Sequence, residues 1–85
     1  MGGGDGTAGG GAGAGFADQR EAVVFILRAR SNDRHPGVEA IEAMLGSPSL
    51  LRDAFNEAVR RWVSVPGGGV RIAELRAALR VAEGR

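Results

Sequence analysis

The sequence predicts an all-α fold: a small four-helix domain, packed as an orthogonal or irregular bundle. Three observations predict it. Apolar residues recur at three- and four-residue spacing in separate stretches. Residues that start and stop helices stand between those stretches. A glycine- and alanine-rich segment, 1–15, is set apart from all of them.

That segment reads MGGGDGTAGGGAGAG and has no large apolar side chain after Met1. It cannot bury enough surface to offset its ordering entropy, so a disordered tail is expected there. The rest of the 85-residue chain, 16–85, is expected to form one helical domain. A domain of that size has a thin core, and association with a partner is a common way to add burial.

The first helix is expected over 17–30. Asp18 and Glu21 have capping-box spacing, and Arg28 and Arg30 suit a helix C-terminus. The run Val23-Val24-Phe25-Ile26-Leu27 is apolar on nearly every face, so it should be covered on more than one side. A buried strand is the competing reading of this β-branched run, but its polar flanks favour helix. The second helix is expected over 36–45. It starts at Pro36, turns Val38, Ile41, Met44 and Leu45 to one side and Glu39 and Glu42 away, and stops at Gly46. The acidic pair reads as a solvated face.

The third helix has the clearest pattern. Ser47 is a candidate N-cap and Pro48 a suitable first residue. Leu51, Phe55, Val59 and Trp62 form its stripe, and Glu57 has the spacing to pair with Arg61. Pro66-Gly67-Gly68-Gly69 then reads as a flexible break. Val63-Ser64-Val65 and Val70-Arg71-Ile72 alternate like strands, which allows a short β-hairpin over 63–72. The fourth helix is expected over 71–83, with Ile72, Leu75, Leu79 and Ala82 inward. The expected core is Val23, Ile26, Leu27, Val38, Ile41, Leu45, Leu51, Phe55, Val59, Leu75 and Leu79.

Composition excludes several chemistries. There is no cysteine, hence no disulfide, thiol catalysis or Cys-based zinc site. The single histidine, His35, reads as an exposed loop residue. All eleven basic residues are arginine, so the lysine of a phosphate-binding P-loop is missing. Position 6 is Gly rather than the Ser or Thr that N-myristoylation wants. No apolar run is long enough for a membrane span, and the N-terminus lacks a Sec signal, so a cytoplasmic location is expected. No cofactor, metal site or catalytic group is expected, and the chain is not read as an enzyme.

What remains is a protein–protein interaction module, an adaptor or assembly element, whose partner is another protein or a second copy. The interface candidates are Phe25, Arg52, Arg60, Arg61 and Trp62. Trp62 is expected mainly in the core, yet a tryptophan beside arginines at a helix end is also the composition of an interface hot spot. A helix-turn-helix built on the second and third helices is the alternative. It would bind DNA with Arg52, Arg60 and Arg61, but Asp53 and Glu57 interrupt that face and the net charge is only +1.

Two families are similar in part. The stretch Leu45-Gly46-Ser47-Pro48-Ser49-Leu50-Leu51 resembles the modified segment of acyl and peptidyl carrier proteins, over 17–83. That resemblance implies a four-helix domain carrying phosphopantetheine on Ser49, although Pro48 stands where the family has Asp or His. The C-terminal half resembles a degenerate EF-hand. Phe55, Val59 and Trp62 match the entering helix, and Gly68, Val70, Glu74 and Leu75 match the loop and its exit. Val63, Val65 and Gly67 would occupy early ligand positions without a carboxylate, which implies an adaptor that does not bind calcium.

Overall fold

In the computed structural model, which describes residues 15–84, four helices follow one another: α1 (Gln19–Arg30), α2 (Val38–Gly46), α3 (Pro48–Val63) and α4 (Gly68–Ala82). Apart from Gly15, the expected tail lies outside the described residues. The helix starts are chemically specified. The Asp18 carboxylate accepts the Glu21 N–H at 2.8 Å, and Glu21 reaches back to the Ala17 N–H, a reciprocal cap at the head of α1. At the α2–α3 corner one residue serves both helices. The Ser47 N–H donates to Met44 O, closing α2, while its hydroxyl accepts the Leu50 N–H, opening α3.

α1, like α3, packs against all three other helices, while α2 packs on α1 and α3. This is how the apolar run of α1 is covered. Val23, Ile26 and Leu27 are buried, and Val24 and Phe25 are half-buried on the outer side. Each fully buried Ile or Leu contributes roughly 1.5–3 kcal/mol of apolar transfer. Six alanines, Ala22, Ala29, Ala54, Ala58, Ala78 and Ala82, complete the core with Ile41, Met44, Leu51, Leu75 and Leu79. Their small side chains let the helix backbones approach closely. No described helix is long and apolar enough to cross a membrane.

Three expectations are corrected. Val38 and Leu45 are not core: they are 64% and 37% exposed. α2 starts two residues later than the Pro36 signal suggests and buries Ile41 and Met44, with Ala40 half-buried beside them, so the stripe is turned toward Met44. The 63–72 hairpin does not form, and no described residue is in a strand. Val63 is instead the last residue of α3, and α4 begins three residues before Arg71. The expected break does fall between α3 and α4, over 64–67, but Gly68 and Gly69 belong to α4. Gly67 has φ +77°, which reverses the chain without a Cβ penalty. Gly68 packs on the Trp62 carbonyl, where a Cβ would overlap the oxygen. Because Gly68 is already helical, the loop of ~12 residues that the EF-hand resemblance needs is also absent.

Candidate functional site

The last turn of α1 sets up the site. After Arg30 the chain passes through Asn32 and Asp33 with φ of 59° and 61°, a left-handed pair that Asn and Asp tolerate best among residues with a Cβ. The Asp33 N–H returns to Arg28 O at 2.8 Å, and the Arg28 Nε donates to Asp33 O at 3.2 Å. This turn presents the Asp33 carboxylate to the Arg71 guanidinium at the start of α4, and the two form an ion pair.

Arg71 is held on its faces as well. Its guanidinium carbon lies 4.6 Å from the Trp62 ring centroid and 5.2 Å from that of Phe25, a double cation–π arrangement. Its Nε is buried without an acceptor. Trp62 donates its indole N–H to Ala29 O at 2.8 Å, which fastens the end of α3 to the end of α1. Phe16 packs edge-on against Phe25 at 5.2 Å. Phe25 and Trp62, both interface candidates, are therefore brought together, but as two walls around Arg71 rather than as free surface.

These contacts gather the C-termini of α1 and α3, the start of α4 and the α1–α2 loop at one end of the bundle. Arg28, Arg30, Arg34, Arg60, Arg61 and Arg71 all belong to it. Asp33 pairs with Arg71, and Glu57 pairs with Arg30 at 3.5 Å rather than with Arg61 as its spacing suggested. Among the described residues Arg28, Arg34, Arg60 and Arg61 have no carboxylate partner. Next to them the α3–α4 turn exposes apolar side chains: Val63 is 68% exposed, Val65 38% and Val70 71%. Hydrogen bonds from Val65 N to Trp62 O and from Gly68 N to Val65 O keep this turn tight. The result is a basic, apolar knob on a braced base.

The remaining candidates lie elsewhere. Arg52, at the far end of α3, is paired with Glu83 after α4. It is not part of the knob. Ser49 is exposed in the first turn of α3, its hydroxyl 3.4 Å from that of Ser47. His35 is exposed, with Nδ1 3.0 Å from Pro36 O. Among the described residues no group of three His, Cys, Asp or Glu side chains is placed to hold a metal ion.

Two shallow grooves flank the outer face of α1 and share Glu21, Val24 and His35. One, about 510 Å³, runs past Phe16, Phe25 and Arg71. The other, about 440 Å³, lies between α1 and α2 and is lined by Asp18, Arg20, Glu21, Val24, Val38 and Ile41. Arg20 is paired with Glu42 at 2.7 Å. Asp18 and Glu21 meet only backbone N–H groups, and Glu39, next to Val38 on α2, is exposed without a cation partner among the described residues.

Sequence reasoning missed Arg71, Asp33 and the exposed valines. Arg71 had a signal, a cation among the apolar residues that open α4. Asn32-Asp33 had one too, two residues that tolerate the left-handed region directly after a helix. The chain matches no protein-family model, no curated protein and no solved structure.

Proposed function

We propose that the chain is a protein-interaction module that binds rather than catalyses, and that it docks through the Arg60–Val63–Val70 knob. One observation carries this reading: three exposed valines at the α3–α4 turn follow directly on Arg60 and Arg61 in the last turn of α3, and neither arginine has a carboxylate partner among the described residues. Arginine pairs in bidentate fashion with carboxylates, and exposed valines are covered most favourably by apolar surface. An acidic protein surface with apolar side chains satisfies both, whereas a nucleic-acid backbone would leave the valines in water. The brace beneath the knob lowers the ordering cost of binding. The cysteine-free sequence suits a reducing, cytoplasmic setting.

A titration of the full chain with a synthetic amphipathic peptide, glutamates on one face and leucines on the other, tests this. Trp62, the only tryptophan, reports through its fluorescence. We expect saturable binding, weakened roughly tenfold or more in Arg60→Ser/Arg61→Ser and unchanged in Arg52→Ala. Saturable binding to duplex DNA with none to the peptide would overturn the reading and favour the helix-turn-helix alternative.

A further inference from the structure

We infer that the partner surface is supplied by a second copy of this chain, through the groove between α1 and α2; the inference rests on the knob reading above. The groove has the chemistry that the knob lacks. Val24, Val38 and Ile41 give it an apolar floor. Asp18 and Glu21 line it, and Glu39, outside the lining but adjacent to Val38 on α2, adds a carboxylate at its edge; none of the three has a cation partner among the described residues. Its only arginine, Arg20, is already neutralised by Glu42. α2 carries no basic residue at all.

The knob is the reverse: exposed valines at the α3–α4 turn, with the unpaired Arg60 and Arg61 in the last turn of α3 before them. Positive apolar surface against negative apolar surface is the complementarity that orients specific association. Val38 is the most exposed large apolar residue outside the knob among the described residues, and this contact would cover it. Knob and groove are different surfaces of one molecule, so the contact is heterologous. Each copy that fills a groove presents its own groove to the next, and the association extends head to tail unless it closes into a ring.

The test is the solution mass of the full chain against concentration, by light scattering or sedimentation. Expected is a mass that climbs with concentration and falls with added salt. Two neutralised variants separate the surfaces. Arg60→Ser/Arg61→Ser breaks the knob and keeps the groove. Glu21→Gln/Glu39→Gln weakens the groove and keeps the knob, and the amide oxygen introduced at position 21 still accepts the Ala17 N–H. Each variant alone should associate roughly tenfold or more weakly than the parent. Mixed in equal amounts they should form a one-to-one dimer and nothing larger, because one intact knob meets one intact groove. A parent chain that stays monomeric while still binding the acidic peptide overturns this inference and leaves the knob reading standing. Loss of both overturns both. Association that persists in the two variants, or a mixture that forms no dimer, also overturns it.

Discussion

The two ends of the bundle hold their helices together in opposite ways. At the far end the ties are thin: an Arg52–Glu83 pair and a Gln19 side chain donating to Ala82 O at 3.1 Å. At the knob end Trp62, Phe25, Arg71 and Asp33 join four segments through an indole hydrogen bond, two cation–π contacts and an ion pair. The far end pairs its arginines Arg20 and Arg52 with Glu42 and Glu83 and leaves the carboxylates of Asp18 and Glu21 on backbone N–H groups. The knob end commits its best contacts to internal bracing and leaves arginines and valines outside. Stability and exposure are thus separated by layer: the aromatic layer braces and the layer above it is free to bind.

Substitutions sharpen that comparison. The largest loss is expected at Gly68. Gly68→Ala pushes a methyl into the Trp62 carbonyl and should cost about 1–3 kcal/mol, read as a lower urea midpoint at unchanged m-value. Full retention of stability would mean that the turn relaxes and the brace is softer than described. Next is Trp62→Phe, which keeps a ring on Arg71 but leaves Ala29 O without its donor. A loss of about 1 kcal/mol is expected in the same denaturation experiment. Asp33→Ala removes a half-exposed carboxylate and a residue suited to left-handed φ, so a few tenths to about 1 kcal/mol is expected. The smallest effect belongs to the far end. Arg52→Ala breaks a partly exposed pair worth about 0–1 kcal/mol and should change neither self-association nor peptide binding. A binding defect there, equal to that of Arg60→Ser/Arg61→Ser, would erase the distinction between the two ends.

What was legible in the sequence follows from where information is local. Asp18, Ser47 and Pro48 mark helix starts because a cap acts within one turn of its own residue. The stripe of α3 reads directly, because a long helix repeats its signal over several turns. α2 is too short for that. A choice between Leu45 and Met44 decides its rotation, and that choice is made by α1 and α3. Of the core alanines only Ala82 was expected inward, and the others were illegible for a related reason. Ala54 and Ala58 look neutral until the close approach of a neighbouring helix is known. The hairpin expectation over 63–72 failed because alternating valines carry the strand pattern whether or not a partner strand exists. Gly67 and Gly68, which decide the turn, act through backbone geometry that composition does not display. The candidate site divides likewise: Arg60 and Arg61 were legible as exposed cations on a helix, whereas the roles of Phe25 and Trp62 depend on Arg71, which comes from a different helix.

Ser47 carries a consequence for how the chain tolerates cutting. It closes α2 and opens α3 with its own N–H, hydroxyl and carbonyl, the last accepting the Leu51 N–H at 3.0 Å. There is no spare residue between the two helices, so α2 cannot swing away without unwinding the first turn of α3. New termini introduced at this corner would uncap two helices at once. The loop after α1, whose residues 32–35 are exposed, has room for such a break but for the Asp33 contacts, and the corner has none.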